Sequence, residues 1–291
     1  MSNRPNKPSY SFAPIKDVAT LATSLGMSER QLIRVAANAG HMYRRKAVPK
    51  KDGTERVTWD AHTQLKDIQG RLNQLFFHKV RFPLYLQGSI RDKAYPRDYV
   101  RNAEIHAGAC IAITLDIADF FPSTQADLVR DVWENFFRFA SPVAEILTQL
   151  TTKSGFLPQG ARTSSYLANL VFWQREHSLV ERLRKSGWTY SRLVDDITIS
   201  KNIDALPNEL TTINRIAIGF LQGYGYSVKR SKHKVFRRSR PVMVNNLVVN
   251  VRPALPKAER RRVRAQAHQA RLGPASHTQG DMPSLGFVNL S

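Results

Sequence analysis

The chain has 291 residues, 42% apolar and 23% charged, enough to bury a sizeable core and too apolar for a disordered chain. Forty-four Lys and Arg against 23 Asp and Glu leave a formal charge of +21, a field that favours a polyanion, above all nucleic acid. The longest clean apolar stretch, about 110–115, is far short of a membrane span, the N-terminus lacks the apolar core of a signal peptide, and a single cysteine excludes an internal disulfide, as expected in a reducing cytoplasm.

Residues 1–12 read as a polar tail. Over 15–40 the spacing predicts two short helices broken at Gly26, the second capped by Ser28. In outline the pair resembles a DNA-reading helix-turn-helix, but the pattern is common and unspecific, and it reads as a plain helical subdomain. Residues 43–59 predict a hairpin turning at Asp52-Gly53. An amphipathic helix follows over 61–80, with Leu65, Ile68, Leu72, Leu75 and Phe76 at helical spacing. A loop-rich stretch reaches 101. The run 110–115 predicts a buried strand ending at Asp116. A helix is expected from Pro122-Ser123, with Leu128, Val132, Trp133 and Phe136 as apolar positions. Another opens at Ser141-Pro142, read as N-cap and first helical residue. After the loop "GFLPQG", 161–185 predicts one long helix. "YSRLVDDITIS", 190–200, reads as two short strands with Asp195-Asp196 at or near the turn. Residues 208–223 predict a helix, 226–228 and 242–251 strands, and 256–271 a very basic helix. The order of elements is α+β rather than βαβαβ.

Asp116 ends one apolar strand and Asp195 begins a turn. If the two strands are antiparallel neighbours, their carboxylates meet, and acids held close repel unless a cation sits between them. Mg²⁺ suits that position: it takes oxygen ligands, keeps several waters, and needs one or two carboxylates plus substrate phosphates. Two such ions about 3.5–4 Å apart can activate a hydroxyl and stabilise leaving pyrophosphate. Taken alone, the Asp pair favours an ordinary polar turn, and the neighbouring segments must decide. Basic residues cluster over 229–264, where Glu259 is the acid among Lys229, Arg230, Lys232, Lys234, Arg237, Arg238, Arg240, Arg252, Lys257, Arg260, Arg261, Arg262 and Arg264.

"LDIADFFPST", "LPQGARTSSYLANL", "YSRLVDDITIS" and "GYSVKRSKHKVF" stand in the order and spacing of the palm motifs of reverse transcriptases. Their sum resembles the bacterial retron type. "RNAEIHAG" is similar to a retron-associated element at Asn102, Ala103 and His106, "YRRKAVPKKDGTERV" to the fingers hairpin, and "PVMVNNLVVN" to the entry into the thumb. The resemblance covers about 43–270. It implies a right-hand polymerase: an N-terminal helical segment 1–42, fingers 43–101, an antiparallel-sheet palm 102–240 with finger helices inserted after 122, and a short helical thumb 241–291. It implies two Mg²⁺ ions on Asp116 and Asp195, with Asp196 beside them. Phe121 would lie under the incoming sugar and exclude a 2′-hydroxyl; core packing is the other reading. Gln159 and Gly160 would let the nucleotide approach, Arg56 would reach the triphosphate, and Lys232 would donate a proton to pyrophosphate or contact a phosphate. His106 and Asn102 would serve RNA binding or structure, and Arg260, Arg261, Arg262 and Arg264 would grip RNA.

The implied activity is RNA-templated DNA synthesis from deoxynucleoside triphosphates. By the same resemblance the template would be a cognate noncoding RNA and the product branched RNA–DNA, and a separate effector protein would complete an antiphage module with no membrane role. Three motifs depart from the family. Leu193-Val194 replaces Tyr-Ala before the Asp pair, Arg162 to Ser165 replaces a proline-bearing turn, and Val244-Asn245-Asn246 replaces Val-Thr-Gly. The first departure keeps a second function open, a polymerase-like RNA-binding scaffold that no longer polymerises. Relatives continue with more thumb beyond the last residues here, so a shortened thumb or a truncated chain is expected.

Overall fold

The computed structural model describes residues 6–50 and 53–271. Two compact units divide the chain, Met1–Ala254 and Leu255–Ser291. The first unit opens with α1 (Val18–Ser24) and α2 (Glu29–Asn38), capped by Asp17 and Ser28. Their apolar faces enter the main core through Leu21, Leu32, Val35 and Ala36, as a helical subdomain requires. β1 (Tyr43–Pro49) and β2 (Glu55–Ala61) form an antiparallel hairpin, largely exposed. Gly53 takes φ +81 in its turn, which favours glycine; Asp52 lies outside the described residues. α3 (Thr63–Leu75) ends in a single tight turn, Phe77–Lys79.

The stretch expected to be loop carries β3 (Leu86–Gln87), too short to show a period, and α4 (Tyr99–Glu104), capped by Asp98. β4 (Ile111–Asp116) follows. Instead of one helix from Pro122 there is a single turn, α5 (Phe120–Ser123), then α6 (Ala126–Asp131) running into a wider turn, Val132–Phe136. α7 (Ser141–Thr151) is capped by Ala140 rather than Ser141, because the Ser141 hydroxyl instead accepts from Arg130 Nη2. The expected long helix is two, α8 (Ser164–Leu170) and α9 (Glu176–Lys185). Between them Phe172 stacks on Phe120 at 5.8 Å and Trp173 Nε1 donates to Asp131, demands a continuous helix would not meet.

β5 (Thr189–Leu193), β6 (Asp196–Lys201) and α10 (Pro207–Gln222) fall where expected. β7 (Lys234–Arg237) was hidden in a run of cations. The strand expected over 242–251 is a small hairpin, β8 (Met243–Val244) and β9 (Leu247–Val248), because Asn245 and Asn246 both take positive φ and turn the chain. The polar tail is also corrected: Ser9 pairs with Arg81 and the Tyr10 ring meets Phe137 edge-on at 4.8 Å.

The central sheet has the order β3-β5-β6-β4-β7, antiparallel except for β3 against β5. Ile111, Ile113, Leu115, Ile197 and Ile199 pack it against the helices. The second unit is described by α11 (Lys257–Arg271), with no buried side chain. Among the described residues no helix is long and apolar enough to cross a membrane.

Candidate active site

β4 and β6 pair from Ile111–Lys201 to Asp116–Asp196. Asp116 therefore ends its strand directly opposite Asp196, where side chains share one face of a sheet, and the two carboxyl groups interact. Val194 and Asp195 form the turn between β5 and β6, closed by the Leu193–Asp196 pair. The Asp195 carbonyl accepts from Ile117 N at 3.1 Å. Three carboxylates thus gather at one end of the sheet. The residue directly facing Asp116 across the ladder is Asp196, with Asp195 next to it in the turn.

Asp116 is buried and the other two are half-buried. Burial, reinforced by the charge of Asp116, holds Asp195 above the usual carboxylate range. Burial and the charges of Asp195 and Asp116 push Asp196 up to about 7. Lys232 Nζ donates to Asp116 Oδ2 at 2.5 Å, and this bond raises the lysine pKa, so it stays charged. The Lys232 turn is itself tied to the strand, since Lys229 N donates to the Asp116 carbonyl at 2.8 Å. The positive charge of Arg56, on β2, also acts on Asp195. Asp116, Asp195, Asp196, Lys232 and Arg56 are therefore one electrostatic group.

Among the described residues no set of three or more His, Cys, Asp or Glu forms a closed metal cage. The chemistry of the donors nevertheless fits Mg²⁺, which needs only one or two carboxylates when phosphates complete its shell. The raised Asp195 and Asp196 signal negative charge short of partners, which Lys232 offsets only in part.

The other expected residues divide. Phe121 is 9% exposed at the margin of the core, whereas Phe120 beside it is 2% exposed and packed inside. Gln159 and Gly160 meet the β1–β2 hairpin: Trp59 N donates to the Gln159 carbonyl at 2.7 Å. A Cβ on Gly160, which has φ +103, would stand 3.3 Å from the Trp59 carbonyl. The close approach that needs this glycine is to the backbone of β2. Lys153 Nζ, 4.4 Å from the Trp59 ring centre, completes the contact.

Asn102 and His106, expected to serve RNA binding or structure, are 0% and 1% exposed. Asn102 Nδ2 donates to Asn245 Oδ1 at 2.5 Å. The His106 ring nitrogens lie 2.7 Å from Ser200 Oγ and from Ser191 Oγ, and burial lowers its pKa to about 3. Both residues tie the α4 region to the sheet and to the β8–β9 turn, the structural one of the two roles expected of them. Arg260, Arg261, Arg262 and Arg264 are exposed on α11, Arg262 paired with Glu259. Sequence reasoning missed Arg192 and Glu176, a fully buried ion pair behind the acidic turn. Its signal was an arginine inside a strand otherwise buried.

The family described as "Reverse transcriptase (RNA-dependent DNA polymerase)" matches residues 48–266. The chain belongs to the reverse transcriptase family, and its α+β architecture with a mainly antiparallel sheet is that polymerase fold. It is 33% identical over 264 residues to the retron Se72 reverse transcriptase of Salmonella heidelberg, covering 89% of this chain and 69% of that one. It is 34% identical over 274 residues to the retron Ec48 reverse transcriptase of Escherichia coli, covering 91% and 67%. Within the family it is of the retron type, an RNA-directed DNA polymerase. Among solved structures, telomerase from Candida albicans with a fragment of telomeric RNA aligns at TM-score 0.48 and 11% identity, over 72% of this chain and 45% of that one. That likeness is too remote to add to the assignment.

Proposed function

We propose that this enzyme copies a cognate structured noncoding RNA into DNA, priming from a 2′-hydroxyl within that RNA. The product is branched RNA–DNA (msDNA), made in the cytoplasm as part of an antiphage system with a separate effector protein. The observation that carries the reading is the convergence of Asp116, Asp195 and Asp196 at one end of the sheet, with Lys232 on Asp116. Asp116 and Asp195, with Asp196 beside them, would hold two Mg²⁺ ions, which when bound activate the primer hydroxyl and stabilise charge on the leaving pyrophosphate.

The chain's own residues do the rest. Lys232 Nζ, protonated on Asp116, is the proton donor to the departing pyrophosphate. Arg56 offers a forked cation to the triphosphate. Phe121 lies against the sugar and excludes a 2′-hydroxyl. Gln159 reaches the nucleotide from a loop that Gly160 seats on β2. The hairpin and its surroundings act as fingers, the sheet as palm, and the residues from 241 onward as thumb. Arg260, Arg261, Arg262 and Arg264 grip RNA phosphates.

The test is to purify the protein from its native locus and extract its nucleic acid. A covalent species cut by both RNase and DNase is expected. Bound RNA with no attached DNA would overturn the reading in favour of an RNA-binding scaffold.

A further inference from the structure

We propose that Arg192 is a positioning residue for the acidic turn: its buried guanidinium clamps the Val194 carbonyl and so sets Asp195 and Asp196 against Asp116. The inference rests on the reading of those acids as catalytic.

Val194 takes φ 59. A β-branched residue is strained there, and the place normally suits glycine. Such a conformation persists only where the surroundings over-determine it. Both backbone polar groups of Val194 are held. Its N–H donates to the Gln87 carbonyl at 3.3 Å, and its carbonyl accepts from Arg192 Nη1 at 2.8 Å. Gly88 completes the seat, because a Cβ on it would stand 2.8 Å from Leu193 Cδ1 and 3.0 Å from Val194 Cγ2.

Arg192 can hold that carbonyl because everything else about it is fixed. An arginine has five N–H donors in a planar fork, and here all five are engaged. Nε and Nη2 grip the Glu176 carboxylate at 2.6 and 2.9 Å. Nη1 also reaches the Ala168 carbonyl at 3.3 Å, and Nη2 the Asn169 carbonyl at 3.2 Å, in the last turn of α8. Tyr190 Oη donates to Glu176 at 2.7 Å, and the guanidinium carbon lies 5.0 Å from the Phe172 ring centre. Asn169 Nδ2 in turn donates to the Gly88 carbonyl at 3.1 Å, closing a ring of contacts around the turn. A bare structural ion pair would need only Glu176. Three of the five donors go to main-chain carbonyls, and one of those belongs to the residue before Asp195. A lysine has three donors and no fork, so it can keep the charge pair but not the clamp.

Arg192→Lys is the test, on the full chain with its native RNA. Deoxynucleotide incorporation should fall about 10²-fold in kcat, the scale of a small misplacement of reacting groups. RNA affinity should stay within about threefold, while the thermal midpoint falls by the loss of buried hydrogen bonds that lysine cannot make. Mn²⁺ titrated onto the RNA-bound protein and followed by electron paramagnetic resonance should bind about tenfold more weakly. Adding Val194→Gly should recover about tenfold of the lost rate, because glycine holds the left-handed turn without the clamp. Should Arg192→Lys fail to fold, Glu176→Gln keeps the shape and one acceptor and should show the same signature and rescue at smaller scale. The proposal is overturned if Mn²⁺ affinity is unchanged, or if rate, RNA affinity and melting fall together without rescue. If wild type makes no DNA, the proposed function fails instead, and the Mn²⁺ titration still decides the clamp.

Discussion

His106 gives the fold a built-in acid sensitivity whose size follows from its surroundings. The ring is 1% exposed, its nitrogens are held by Ser191 and Ser200, and among the described residues no carboxylate pairs with it. Neutral imidazole suits this site, with one nitrogen donating to a serine and the other accepting. Burial lowers its pKa to about 3, against about 6.5 in the unfolded chain. Between those values the unfolded chain binds a proton that the folded one refuses. Stability from this group is therefore flat above about pH 6.5 and falls toward pH 3 by about 1.4 kcal/mol per pH unit. Going from pH 6.5 to 4.5 costs about 2–3 kcal/mol through this residue. The assay is urea unfolding followed by tryptophan fluorescence at several pH values, for wild type and for His106→Gln, which cannot titrate. Carboxylates contribute to both proteins, so the difference in slope isolates the histidine. Equal slopes for the two proteins would refute the reasoning and mean that water or an acid reaches the ring.

Three further outcomes are expected. Phe121→Ala should admit ribonucleotides, measured by incorporation of each sugar type; unchanged selectivity would leave Phe121 a core residue. Replacing Arg260, Arg261 and Arg262 by Gln should weaken RNA binding and reduce the slope of log affinity against log salt by about 2, at roughly 0.7 per lost phosphate contact; an unaltered slope would put the RNA elsewhere. Gly160→Ala should cost more than about 1 kcal/mol in thermal unfolding, since alanine meets both a positive φ and the Trp59 carbonyl; no loss would remove the seat of the hairpin on this loop.

The elements that position the site were legible because their patterns are local. The run ending at Asp116, the alternation around Asp195 and Asp196, and the spacing of Leu65, Ile68 and Leu72 each read directly as strand, hairpin and helix. What escaped depends on partners far along the chain. The break between α8 and α9 follows from Phe172 and Trp173 needing places beside Phe120 and Asp131. β3 and β7 are strands only because β5 and β4 offer them edges. Which acid faces Asp116 depends on register, where one residue changes the partner. For His106 and Asn102 the sequence left RNA binding and structure both open, and only the fold reveals partners inside the protein, Ser191, Ser200 and Asn245. That Gly160 also seats the β1–β2 hairpin escaped because Trp59, which it meets, lies about a hundred residues away in sequence.

The most direct measurement is Mg²⁺-dependent incorporation of deoxynucleotides on the native RNA by wild type and by Asp195→Asn. Wild type should extend the RNA into DNA, and the variant should lose at least about 10²-fold in rate while binding the RNA as before. Full synthesis by the variant would contradict the acidic centre on which the account stands.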